Sequence, residues 1–264
     1  LTGDSLLEFV NEKLFKQLKN LKLPEDAPMK HKILRDAFLS TNQYMKDGVL
    51  LRQLINEINE IDFDDMKELH AFGDIYETIL RSLQSAGNAG EFYTPRAVTD
   101  FIVEMVNPKL GEHVADFACG TGGFLTSTLN HLSKDMDNVE DREQFNNAVY
   151  GIEKKPLPHL LCVTNMLLHD IDNPQIYNAN SLERKVRDYK ENDKFEVILM
   201  NPPYGGTENE IIKENFPADM RSSETADLFI ALIMYRLKQN GRAAVIIPDG
   251  FLFGLDNAKT AIKK

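Results

Sequence analysis

The sequence predicts an α/β protein: a doubly wound, mostly parallel, Rossmann-like sheet preceded by an α-helical domain. Three observations carry this. Residues 1 to about 85 show helical spacing and no strand signal. From Gly90 onward, short apolar runs alternate with helical segments, the pattern of a parallel sheet covered on both faces. Between the two lies Ser85-Ala86-Gly87-Asn88-Ala89-Gly90, small and polar, which reads as a linker. The expected domains are therefore 1–85 and 86–264.

In the helical part, Ser5 with Glu8 reads as a capping box ahead of the stripe Leu6, Val10, Leu14, Leu18, Leu21. Pro24 and Pro28 break the pattern. Further helices are expected at Lys32 to Met45, Val49 to Asn59 and Met66 to Gln84, and the acidic run Asn56 to Glu68 reads as a solvated face. In the second part, strands are expected at His113 to Ala118, Val149 to Glu153, Gln175 to Asn180, Phe195 to Met200 and Arg242 to Pro248. Helices are expected at Gly123 to Leu132, Pro156 to His169, Leu182 to Tyr189 and Thr225 to Lys238. In such a sheet the ligand sits at the carboxyl ends of the strands.

Composition narrows the function. The 264 residues carry 30 basic and 41 acidic side chains, a net charge of −11. Phosphate neutralisation supplies most non-specific affinity for nucleic acid, so such a chain needs a basic cleft or a partner to grip DNA. No apolar run is long enough to cross a bilayer, and the first residues show no signal-peptide pattern, so no membrane is expected. Two cysteines, Cys119 and Cys162, make neither a disulfide framework nor a metal-ligand spacing; buried thiols in a reducing cytoplasm are expected. The six histidines form no metal-binding group, and no metal is expected. The chain begins with Leu and stops within a helix-like stretch, Asp256 to Lys264, as expected of a fragment of a longer protein.

Five motifs carry chemistry. The run Phe195 to Met200 leads into Asn201-Pro202-Pro203-Tyr204. This arrangement suits methylation of an amino nitrogen whose lone pair is conjugated to a ring or carbonyl. The Asn201 side-chain oxygen and the Pro202 carbonyl would accept its hydrogens, the two prolines stiffen the turn, and Tyr204 would stack on a flat substrate. The plainer reading is a turn that ends a strand. The first strand runs into Asp116-Phe117-Ala118-Cys119-Gly120-Thr121-Gly122-Gly123-Phe124, a turn opening a helix. A dinucleotide fingerprint would need glycine at Leu125 and would reject Asp116 beside a pyrophosphate. S-adenosylmethionine, with an ammonium for Asp116 and a carboxylate for the N–H groups, fits better. At the second strand end, Glu153 reads as a ribose ligand, against a solvent-facing residue of Glu153-Lys154-Lys155. After the third, Asn180 has two readings: a contact to the adenine amino group, or a turn in which Ser181 caps the next helix. Lastly, in Gly90-Glu91-Phe92-Tyr93-Thr94-Pro95-Arg96, Thr94 and Pro95 suit a helix start, or the turn closes over the cofactor's methionine part.

Together these motifs resemble the modification subunit of type I restriction–modification systems, a family of N6-adenine DNA methyltransferases with an amino-terminal helical domain. The pattern Gly-x-Phe/Tyr-x-Thr-Pro, Asp-x-x-Cys-Gly-Thr-Gly-Gly-Phe and Asn-Pro-Pro-Phe/Tyr occurs here in that order, and Ile246 to Phe253 is similar too. The resemblance implies that Glu91, Phe92, Tyr93, Thr94, Pro95, Arg96, Thr121, Gly122, Gly123 and Glu153 hold S-adenosylmethionine. Asp116, Gly120 and Asn180 join them from the reading above. Asn201, Pro202, Pro203 and Tyr204 are implied to be catalytic. It further implies double-stranded DNA as substrate, a specificity subunit, a second modification subunit and restriction subunits as partners, and a cytoplasmic location. Two features depart from the family: Asn180 stands where Asp is frequent, and the further strand pair and carboxyl-terminal helical region that docks the specificity subunit are not visible. A release-factor glutamine methyltransferase shares the Asn-Pro-Pro-Tyr tetrad, but the Gly90 to Arg96 and Cys119 to Gly123 motifs argue against it. RNA guanine-amino methylation is a more distant rival. The intact tetrad argues against a non-catalytic assembly subunit.

Overall fold

The structure is a computed structural model that describes residues 1–24, 27, 29–40, 43–62, 75, 76, 78 and 94–264. The expected linker 85–90, most of the expected helix 66–84, part of the acidic run, and Glu91, Phe92 and Tyr93 lie outside the described residues.

In the helical part, α1 (Gly3–Glu8) passes through a π-helical segment, Phe9–Leu14, into α2 (Phe15–Lys19). The expected capping box does not form. The helix already begins at Gly3, so Ser5 lies in its first turn and its hydroxyl donates to the Thr2 carbonyl at 2.8 Å. The wider π turns also rotate the apolar stripe. Leu6 and Val10 pack with Leu51, and Phe15, rather than Leu14, joins them. Two more helices follow, α3 (Met29–Ser40) and α4 (Gly48–Asn59). The latter is capped by the Asp47 carboxylate, which accepts from the Val49 and Leu50 N–H groups. Tyr76 ties this part to the sheet domain, its hydroxyl donating to the Leu161 carbonyl at 3.1 Å.

Then come α5 (Arg96–Val106), β1 (Val114–Asp116), α6 (Gly123–Leu132), α7 (Val139–Asn146), β2 (Val149–Glu153), α8 (Pro156–Leu168), β3 (Gln175–Asn178), β4 (Phe195–Met200), α9 (Thr225–Arg236) and β5 (Leu237–Val245). The strands form one sheet in the order β3-β2-β1-β4-β5, with every pair parallel. The order reverses between β1 and β4, which makes the carboxyl edge there the ligand site of a doubly wound fold.

Strand alternation sorts the core. In β4, Val197 and Leu199 face a layer with Val103 of α5 and Phe124 of α6. Ile198 and Met200 face the opposite layer, with Leu228, Ala231 and Leu232 of α9. Beside the first layer, α6 and α8 pack Leu125, Leu129, Cys162, Val163 and Met166 over Val149 and Ile176.

Two expectations fail here. The segment Leu182 to Tyr189 is not an α-helix; it forms turns and one 3-10 turn, Val186–Asp188. Leu182 and Val186 are buried as their four-residue spacing suggests. However, Asn215 of a later loop donates to the Leu182 and Glu183 carbonyls and its own carbonyl accepts the Val186 N–H, taking the place of helical bonds. The remaining space is filled by Arg236, whose guanidinium lies 4.2 Å from the Tyr189 ring centre and 4.6 Å from that of Phe117. The second failure is the start of β5. It pairs from Leu237, not Arg242, because Phe195 faces Leu237 while Val197 faces Arg242, leaving residues 238–241 as a large bulge. Two short helices end the chain, α10 (Asp249–Phe253) and α11 (Asn257–Ile262). No helix among the described residues is long and apolar enough to cross a membrane.

Candidate active site

The motifs meet at the carboxyl ends of β1, β2 and β4. Asp116 closes β1 and is buried, one carboxylate oxygen accepting from the Ala118 N–H at 3.0 Å. Burial pushes its carboxyl up to about 8. The Ala118 hydrogen bond opposes this and the Glu153 charge adds to it. A carboxylate that is costly to ionise by itself suits a cationic ligand group.

The turn after β1 is shaped by close packing. Gly120 and Gly122 both have positive φ, +55° and +88°. At Gly122 a Cβ would come within 2.8 Å of Cys162 Sγ and 3.2 Å of Met166 Cε. The Gly122 N–H donates to the Cys119 carbonyl at 2.7 Å, and α6 starts one residue later with its amino end at the site. Glu153, at the end of β2, accepts from the Gly120 N–H at 2.9 Å through Oε2 and from the Lys155 N–H at 2.8 Å through Oε1. Each oxygen keeps a lone pair for a ligand hydroxyl. The buried carboxylate, the glycine turn that a Cβ would block and the anchored Glu153 fit S-adenosylmethionine.

Asn180 and Ser181 lie in the loop that follows β3. Asn180 Oδ1 accepts from the Leu182 N–H at 3.1 Å, so Asn180 holds the turn. Ser181 caps no helix; its hydroxyl donates to the Phe117 carbonyl at 2.6 Å, pinning this loop to the end of β1. Arg96 is anchored to the start of α6. It donates to the Gly123 carbonyl at 2.8 Å and to the Thr126 and Ser127 hydroxyls. Thr121 and Gly123 lie in the same turn and helix start.

The tetrad leaves the end of β4. Pro202 is buried and Pro203 exposed. Asn201 Nδ2 donates to Thr94 Oγ1 at 3.0 Å. The Tyr204 hydroxyl lies 2.6 Å from Asn201 Oδ1 and 2.7 Å from the Ile246 carbonyl oxygen, and burial raises its pKa. Ile246 itself follows β5, and its N–H donates to the Met200 carbonyl at 3.0 Å. Gly205, at φ +71°, begins the loop beyond.

Sequence reasoning missed three parts of this site. Ile246 looks like an ordinary residue of an apolar run, yet its carbonyl meets the tetrad. Cys162 and Met166 form the wall that demands glycine at 122. Lys154 pairs with Glu208 at 3.0 Å, tying the strand end that bears Glu153 to the loop after the tetrad. Opposite charges at these two positions were the available signal. Among the described residues no group of three His, Cys, Asp or Glu side chains is placed to hold a metal.

Comparison with known proteins points the same way. Residues 67–264 match the family model described as N-6 DNA Methylase. The chain is 54% identical over 266 residues to the methylase subunit of the type I restriction enzyme EcoEI of Escherichia coli, covering 100% of this chain and 54% of that protein. Among solved structures, one described as a modification subunit of a type I restriction enzyme from Vibrio vulnificus YJ016 aligns with a TM-score of 0.85 at 40% identity, over 99% of this chain and 58% of that one. A chain from a structure of type I R-M system assembly and conformational transition aligns with a TM-score of 0.89 at 36% identity, over 98% and 53% respectively. The chain thus spans about half the length of the curated relatives it matches.

Proposed function

Because the chain belongs to the N-6 DNA methylase family, we propose that it is the core of a type I modification subunit that methylates N6 of adenine in double-stranded DNA, with S-adenosylmethionine as donor. The observation that carries this reading is the convergence of Asp116, Gly120 to Gly123 and Glu153 with Asn201 to Tyr204 on one carboxyl edge of the sheet. When bound, S-adenosylmethionine supplies an electrophilic methyl group. Asp116 would hold its ammonium, Glu153 its ribose hydroxyls and the N–H groups at the start of α6 its carboxylate. Glu91, Phe92, Tyr93, Pro95, Arg96 and Asn180 would complete the cofactor contacts.

The adenine amino group is out of reach within a base stack, so the base must be flipped out. Tyr204 then stacks on it, while Asn201 Oδ1 and the Pro202 carbonyl accept its amino hydrogens. Pro203 keeps the turn stiff. The two acceptors fix the nitrogen's position and stabilise the positive charge that develops on it. The surplus proton leaves to water. A specificity subunit would choose the sequence, a second modification subunit and restriction subunits would complete the assembly, and its setting would be the cytoplasm.

The test compares the methylated bases of the native genome carrying the full-length gene with those of an Asn201→Ala strain. N6-methyladenine should vanish from one split recognition sequence, while the purified variant still binds S-adenosylmethionine within about two-fold of wild type. An unchanged DNA methylome would overturn the assignment and send the search to release factors and RNA.

A further inference from the structure

We propose that Thr94 is a positioning residue for the reacting nitrogen, acting through the Asn201 carboxamide. The proposal rests on the methyl-transfer reading above and gives Thr94 a task distinct from holding the cofactor.

A carboxamide is planar, and its two ends are chemically opposite: Oδ1 accepts hydrogen bonds and Nδ2 donates them. Only one orientation offers an acceptor to an amino group. A half turn about the last side-chain bond would point N–H groups at N–H groups and hold nothing. Whatever fixes this rotation therefore decides whether Asn201 is competent.

Among the described residues, two hydroxyls touch the carboxamide: Thr94 Oγ1 at Nδ2, 3.0 Å away, and the Tyr204 hydroxyl at Oδ1, 2.6 Å away. Tyr204 is the less dependable of the two. Its hydroxyl has one proton and also lies 2.7 Å from the Ile246 carbonyl oxygen, so two acceptors compete for it. If Tyr204 turns to stack on a flipped base, its hydroxyl leaves Asn201 altogether. Thr94 then remains the described contact to the carboxamide, its oxygen accepting from Nδ2 and leaving Oδ1 for the substrate amine.

The Thr94 hydroxyl also has no duty as a helix cap. Although Thr94 stands beside the start of α5, the N-cap position belongs to Pro95, and among the described residues no side chain caps the helix. Its described side-chain bond reaches across 107 residues of sequence to Asn201. Because Pro95 and Arg96, proposed above as cofactor contacts, follow Thr94 directly, one hydrogen bond would join the cofactor side of the site to the acceptor of the substrate amine.

The test uses the full-length protein assembled with its specificity partner and a duplex bearing the recognition sequence. Thr94→Val keeps the shape and removes the hydroxyl; Thr94→Ser keeps the hydroxyl and removes a methyl. Single-turnover methyl transfer should fall about 30-fold in Thr94→Val and return to within about three-fold of wild type in Thr94→Ser. Dissociation constants for S-adenosylmethionine and for the duplex should stay within about two-fold in both, as should the fluorescence of 2-aminopurine at the target position. Unchanged melting temperatures would exclude misfolding. A wild-type rate in Thr94→Val overturns the proposal. So does a loss of cofactor affinity in step with the rate, or an equal loss in both variants. If the wild-type assembly transfers no methyl group to DNA adenine, the function itself falls and the proposal with it.

Discussion

With Asp116 as the proposed partner of the cofactor ammonium, cofactor capture would be coupled to proton release. The Asp116 carboxyl is raised to about 8, with burial as the main cause, so at pH 7 it is mostly protonated in the ligand-free protein. A cation beside it restores the charge, and the proton must leave. Binding of S-adenosylmethionine should therefore release protons at pH 7 and strengthen as pH rises from 6 towards 8. Calorimetry in two buffers of different ionisation enthalpy measures the number released; a value of zero would contradict the assignment of Asp116 to the ammonium. The same group sets a sign for stability. A carboxyl raised in the folded state favours the fold fully below its unfolded value near 3.8, and this contribution is lost as pH climbs through about 8. At this scale the sequence was legible wherever function is local. Asp116 and Glu153 close their strands and the glycines follow one, so the strand ends place them. The Thr94–Asn201 bond was not legible, because nothing local links residues 107 apart.

Among the elements, α11 depends on one buried cation. Lys259 is nearly inaccessible and its ammonium meets Asp227 and Glu224, each at 2.9 Å, and Asp256 at 3.2 Å. Burial alone would lower its pKa, but bonds to the three carboxylates raise it. Asp227 sits on α9 and is itself fully buried, so Lys259→Met would strand its charge. The variant should lose about 3 kcal/mol, read from the urea midpoint, and Lys259→Met with Asp227→Leu should recover a large part of it. Elements with strong patterns were readable: α6 begins and ends where its apolar spacing indicates, and β2 and β4 match their apolar runs residue for residue. Helix α7 was not foreseen. Its residues, Val-Glu-Asp-Arg-Glu-Gln-Phe-Asn, bury only Phe145, so there is little stripe to read, although the Asn138–Asp141 capping box was present in the sequence. Leu182 to Tyr189 erred the other way, since helical spacing was there but its backbone bonds went to Asn215.

For the molecule as a whole, charge and topology act separately. With a net charge of −11, the chain repels the phosphate backbone on average. Alone at physiological salt, it should bind non-cognate duplex DNA more weakly than about 10 μM by fluorescence anisotropy, and the specificity partner should tighten binding at least about 100-fold. Nanomolar binding by the isolated chain would refute that division of labour. The bulge of residues 238–241 has a consequence of another kind. It lies at the amino end of β5, whereas Ile246 and the tetrad lie at the carboxyl end. Between them, Arg242 to Val245 stay in strict register with Val197 to Met200. A residue gained or lost within the bulge would alter its contour without sliding Ile246 relative to Met200. Descendants of this chain can therefore drift in length on one rim of the sheet while inheriting an unchanged chemistry on the other.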